Sequence, residues 1–150
     1  MALLRYENID VMVRTRDEHC PPHLHADCRD GWEARYEFSF LSDEVTFWDI
    51  KGSVFPTRAT LNGLGMAIVQ NLPKIRARWW GLMNTTCLEN RFVKVSGVTV
   101  TLSERKHKGA IQIAKAFYDP TEQETSLILS DGSQHIITFP PSTRSRHKET

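Results

Sequence analysis

Between Trp32 and Phe40 the chain alternates without a break. Trp32, Ala34, Tyr36, Phe38 and Phe40 are interleaved with Glu33, Arg35, Glu37 and Ser39. Side chains of a strand point alternately to opposite faces, so this stretch predicts a strand with one aromatic face and one charged face. Parallel sheets bury both faces, whereas antiparallel sheets tolerate a wet one. The pattern therefore predicts a mainly antiparallel sheet. Its aromatic face belongs to the core, and its charged face to solvent or a ligand.

The flanks extend this reading. Ile9, Val11 and Val13 alternate with polar residues, which predicts a half-buried strand. His23 to Cys28 predicts a second short strand, and Asp30-Gly31 a turn. Glu44 to Ile50 predicts another strand, with Trp48 on the face opposite Val45 and Phe47. Leu61, Leu64, Ile68, Leu72, Ile75, Trp79 and Leu82 then step by three or four residues, a helical stripe. Thr60 is the expected N-cap. Pro73 lies within the stripe, so residues 60–84 form one kinked helix or two consecutive helices, the second capped by Asn71.

Strand signals return after Arg91. Val93 and Val95, then Val98, Val100 and Leu102, flank a change of parity at Ser96-Gly97, which predicts a bulge or tight turn. Ile111 to Phe117 predicts a further strand. Leu127 to Leu129 and Ile136 to Phe139 flank Ser130-Asp131-Gly132-Ser133, a hairpin signature. Strands, then helix, then strands argue an α+β fold. The expected organisation is a domain at 1–84, a β-rich extension at 85–141 and a basic, disordered tail at 142–150.

Composition excludes some classes. No apolar run is long enough for a transmembrane helix, and Met1 to Arg5 lacks the features of a secretory signal. Cys20, Cys28 and Cys87 are odd in number and without framework spacing, which predicts reduced thiols and a cytoplasmic protein. Net charge is +1, but residues 1–50 carry −6 and the remainder is basic. That is a dipolar surface rather than a uniformly basic nucleic-acid binder.

The chemistry concentrates in Glu18-His19-Cys20-Pro21-Pro22-His23-Leu24-His25-Ala26. Two prolines stiffen the turn, and strand alternation puts His23 and His25 on one face. Imidazoles with pKa values near neutrality can act as general acid and base, so His19, His23 and His25 are the candidate catalytic groups. Arg14, Arg16 and Arg35 are candidates to stabilise a phosphorane-like transition state, with Glu33 or Glu37 orienting a histidine. Such a set would cleave RNA without metal, using the 2′-hydroxyl. The same His-x-His pair offers two ligands to a divalent metal, with Cys20, Cys28, Asp27 or Glu33 able to complete the site and His107 and His135 as remote ligands. A third reading is contact with nucleic acid or a protein partner through Lys74, Arg76, Arg78 and Trp80, set against the plainer reading of a solvated helix face.

The nine-residue string resembles the signature E-H-x-P-P-H-x-H-[AV] of a family of small bacterial proteins, domain of unknown function 4160. The resemblance covers roughly residues 8–84, including the alternating strands and the helical segment Leu61 to Trp80. It implies the toxin-like component of a type II toxin–antitoxin system, with a cognate antitoxin or another protein as partner; RNA as a target is the expectation from the acid–base groups, and no membrane association is expected from composition. Residues 109–141, with Leu127 to Gly132, resemble over a short stretch the companion family, domain of unknown function 2442. Members of the first family are usually shorter, so residues 85–150 depart from its pattern. The alternative is a non-enzymatic regulatory or anti-defence module that uses the histidine turn as a recognition loop.

Overall fold

The computed structural model describes residues 2–16 and 18–139, so the expected tail at 142–150 lies outside the described residues. The chain forms two compact units that divide between Leu88 and Glu89.

The first unit is a five-stranded antiparallel meander followed by two helices. Strands β1 (Leu4–Tyr6), β2 (Ile9–Met12), β3 (His23–Cys28), β4 (Trp32–Glu37) and β5 (Thr46–Gly52) lie side by side in chain order. Helices α1 (Arg58–Val69) and α2 (Leu72–Met83) follow as two consecutive helices. The period-two stretch does what its pattern dictates: Trp32, Ala34, Tyr36, Phe38 and Phe40 are all buried. Leu24 pairs with Tyr36 and Ala26 with Ala34, which continues the apolar face across β3. The helices cover that face. Tyr36 Oη donates to the Leu61 carbonyl at 2.8 Å, and a Cβ at Gly63 would overlap the Tyr6 hydroxyl. Leu64, Ile68, Leu72, Ile75 and Trp79 complete the core, as the helical stripe predicts.

Four expectations need correction. The N-cap of α1 is Thr57, not Thr60: the Thr57 hydroxyl accepts the Thr60 N–H at 3.2 Å, so the helix starts almost a turn earlier. Strand β1 was not expected. Its three residues carry no alternation to read, and it exists by pairing with β2, helped by an Arg5–Asp10 ion pair at 2.7 Å. Leu82 ends the predicted stripe but is exposed. Finally, the cysteines are not all free thiols. Cys20 and Cys87 are joined in a disulfide with Cα atoms 5.5 Å apart, and Cys28 is free and buried. The partners are 67 positions apart. Only the return of the chain after α2 to the histidine turn brings them together, and no local spacing encodes that. Cys87 thus ties the segment after α2 to the first unit, which ends at Leu88, four residues beyond the expected boundary at 84.

The second unit is a five-stranded antiparallel sheet. Strands β6 (Phe92–Ser96), β7 (Thr99–Ser103), β8 (Ile111–Asp119), β9 (Glu124–Leu129) and β10 (Gln134–Thr138) are arranged β10-β9-β8-β6-β7. The parity change at Ser96-Gly97 is a tight hairpin turn with Gly97 at φ 62°. Asp131-Gly132 closes the β9–β10 hairpin, with Asp131 Oδ1 accepting from the Ser133 N–H at 2.9 Å.

Candidate functional site

On β3 the alternation separates two chemistries. Leu24 and Ala26 face the helices, while His23 and His25 face the other way and pair across to Glu37 and Arg35 on β4. That second face is the charged one, yet it is not open to water here. The segment between β2 and β3 returns over it, and Glu18 meets both imidazoles. Glu18 Oε2 lies 3.1 Å from His23 Nε2 and 3.4 Å from His25 Nε2. The three side chains are 6%, 2% and 11% exposed for Glu18, His23 and His25. One ligand atom from each lies within 4.8 Å of the others, so these three residues form a group that could hold a metal ion.

The far side of each ring is fixed. His23 Nδ1 lies 2.8 Å from the Pro21 carbonyl, which can only accept, so this nitrogen carries the proton. The Cys20–Pro21 peptide is cis. His25 Nδ1 lies 2.7 Å from Glu33 Oε2, the diagonal neighbour on β4. Glu33 is in turn paired with Arg14, Oε1 to Nη2, at 2.9 Å. Burial works to raise the Glu33 pKa, but the His25 hydrogen bond and the Arg14 charge outweigh it and hold the carboxyl below its usual range. Glu33 is therefore an ionised acceptor, and His25 Nδ1 is its donor. The relay Arg14–Glu33–His25 leaves His25 Nε2 turned toward Glu18.

The rings have an aromatic wall. His23 meets Trp48 edge-on at 5.2 Å between centroids and Trp79 at 5.7 Å. Trp48 is the extra residue of a register shift opposite Arg35 and Tyr36. Arg35 stacks over Trp48 at 4.2 Å and chelates Asp49, with Nε to Oδ1 at 2.8 Å and Nη2 on Oδ2. The Asp49 pKa is lowered, chiefly by the hydrogen bond from Arg35.

Of the expected residues, the fold brings together His23, His25, Glu33 and Arg14. His19 is exposed, its Nδ1 3.1 Å from the Cys20 carbonyl and its ring 6.0 Å from that of His23. Arg14 and Arg16 lie beyond β2, which ends at Met12, and Arg16 is exposed. Arg35 serves Trp48 and Asp49 rather than the imidazoles. Glu33 sits on Nδ1 of His25, so it supports a ligand rather than being one. Cys20 is in the disulfide, while Cys28 lies near Asn8 and the Asp30 N–H. His107 lies 3.7 Å from Glu104, and His135 is 3.2 Å from Ser133, both in the second unit.

Glu18 is the member that residue-type reasoning missed. It opens the E-H-x-P-P-H-x-H string, and its position five residues before His23 is the available signal. The helical strip is also not what its composition suggests. Arg76 faces the core at 1% exposure, donating to the Ser39 carbonyl at 2.9 Å, the Ser42 carbonyl at 2.6 Å and Asp43 at 2.9 Å. Lys74 donates to the Leu3 carbonyl, Arg78 is exposed and Trp80 is half-buried, so the four do not make one surface.

No protein-family model, curated protein or solved structure matches this chain. No helix among the described residues is long and apolar enough to cross a membrane.

Proposed function

We propose that this chain is the toxin-like component of a bacterial toxin–antitoxin module and that its chemistry resides in Glu18, His23 and His25, with phosphodiester cleavage in RNA as the reaction. The histidine signature supplies the first half of the reading. The second half is carried by one observation: His25 is held between two carboxylates, Glu33 on Nδ1 and Glu18 facing Nε2. A base with one nitrogen oriented by an ionised carboxylate and the other free for proton transfer is the recurring arrangement for activating a hydroxyl or water. In RNA that hydroxyl is the 2′-OH. A proton among the three inner atoms leaves His25 as the base, whereas a divalent cation there would occupy Nε2 and would instead activate a hydroxyl or water itself; phosphodiester cleavage is the reading in either case. The recognition-loop alternative would use the imidazoles as contacts, but His19 alone of the three is exposed.

The reading puts the chain in the cytoplasm, and the Cys20–Cys87 disulfide stands apart from the chemistry. Neither sulfur belongs to the cluster. The test is growth of a bacterial host after induction of the full chain. Wild type and His19→Ala are expected to arrest growth, and His25→Ala is expected not to, with circular dichroism confirming that each is folded. Unimpaired growth with folded, abundant wild type would sink the reading.

A further inference from the structure

Three polar atoms converge between β3 and the turn before it, and the hydrogens available cannot satisfy them. His23 Nδ1–H is committed to the Pro21 carbonyl and His25 Nδ1–H to Glu33. In the neutral imidazoles both Nε2 atoms therefore carry lone pairs. Those lone pairs face Glu18 Oε2 at 3.1 and 3.4 Å. Acceptor faces acceptor on two sides of a carboxylate taken out of water, and a buried charge without a partner is unfavourable.

A proton on one imidazole is the simplest remedy, and the geometry does not favour it. Glu18 Oε2 and His25 Nε2 are both buried, and neither makes a hydrogen bond. The distances are short enough, so it is the direction of such an N–H that fails. A cation placed between the atoms has no such requirement.

We propose that Glu18, His23 and His25 bind one divalent first-row transition cation through the Glu18 carboxylate and the two Nε2 atoms, leaving at least one coordination position for water or substrate. The spacing fits: ligands on a tetrahedral ion with bonds of about 2.0–2.1 Å stand about 3.3 Å apart, and two of the edges here are 3.1 and 3.4 Å. The surroundings fit as well. Metal-bound histidines donate their second N–H to a carbonyl or carboxylate, which fixes the tautomer. Pro21 and the Arg14-braced Glu33 fill those two roles. Trp48 and Trp79 provide the apolar wall that lowers the local dielectric. Two imidazoles and one carboxylate suit zinc or iron(II) better than calcium or magnesium, which prefer all-oxygen sites. His25 is the most exposed of the three side chains, so the open position lies on its side.

This deepens the reading of the cluster as the chemical centre. It rests on that reading for what the cation does, and not for whether it binds. A bound cation would lower the pKa of a coordinated water and polarise a phosphoryl oxygen. The protein's own part is to hold the three ligands and keep Glu33 on His25.

The test uses the full chain without an affinity tag, stripped with chelator and titrated with zinc(II) by calorimetry and with cobalt(II) by visible absorption. One equivalent of zinc should bind, and cobalt should give the bands of a low-coordinate site. Binding should vanish in Glu18→Gln and in His25→Ala, weaken by roughly ten- to hundredfold in Glu33→Gln, and persist in His107→Ala and His135→Ala. Imidazole ¹⁵N resonances of wild type, which need no variant to fold, should shift at Nε2 of His23 and His25 on adding zinc. Absence of those shifts, or zinc binding indifferent to Glu18→Gln and His25→Ala, would overturn the proposal. Zinc binding in a chain that does not arrest growth would keep the metal site and sink the toxin reading. Growth arrest by a chain that binds neither ion would do the reverse.

Discussion

Arg76 on α2 and Glu18 above β3 are both charged groups withdrawn from water, and the fold treats them in opposite ways. Arg76 sends its guanidinium donors to two carbonyls and a carboxylate, all at 2.6–2.9 Å. Its partners come from the single stretch Ser39 to Asp43, so it pins the exit of β4 to the helix layer. Glu18 has an oxygen with no hydrogen bond, aimed at two imidazoles that have already used their other nitrogen. A buried charge with its partners in place is a brace. A buried charge left facing other acceptors is waiting for something the chain does not itself supply.

This contrast can be broken by mutation, and the largest effect should come from the brace. Arg76→Leu leaves the Ser39 and Ser42 carbonyls and Asp43 without their donor, and should cost about 3–5 kcal/mol in urea unfolding. Glu18→Gln, by contrast, removes a charge that has no hydrogen bond in the apo protein, and should leave its stability unchanged or raise it while abolishing the proposed zinc binding. A large loss in Glu18→Gln without metal would erase the distinction.

Tyr36 belongs with Arg76, since it is buried with its hydroxyl donated to Leu61. Burial pushes its pKa up to about 12 from an ordinary 10.0. The unfolded phenol therefore ionises first, and the native state keeps its proton over that interval. The stability this contributes is intact below pH 10 and should fall by about 2.5 kcal/mol as pH rises toward 12. Unfolding midpoints against pH for wild type and Tyr36→Phe should diverge over that window; parallel curves would remove Tyr36 from the brace class. Smaller again is Thr57→Ala, which deletes the α1 cap and should cost about 1 kcal/mol. Smallest is Asp49→Asn: it weakens an ion pair at the surface and should shift stability by no more than about 0.5 kcal/mol, with most of the effect gone in high salt.

Much of the fold was legible because it is written in short-range periodicity. The bounds of β3, the buried aromatic face of β4, the helical stripe and the Asp131-Gly132 hairpin all follow from residues within a few positions of each other. The site was legible only halfway. Alternation put His23 and His25 on one face, and their orientation by Glu33 was among the expectations. Glu18 needed the turn to fold back, and the Cys20–Cys87 pairing needed the whole helical layer to return the chain. Arg76 misled because a basic side chain in a helix ordinarily marks the wet face. Its burial depends on carbonyls 34 to 37 positions away, which no helical wheel contains.

The most direct measurement is denaturant unfolding of wild type, Glu18→Gln and Arg76→Leu, each with chelator and with zinc at a hundred times its dissociation constant. A site that exists only in the native state predicts that zinc stabilises wild type by about 2.7 kcal/mol. It predicts the same gain in Arg76→Leu from a lower starting stability, and none in Glu18→Gln. Equal zinc responses in all three, or none in wild type, would contradict the account of Glu18, His23 and His25 as a centre built for a cation.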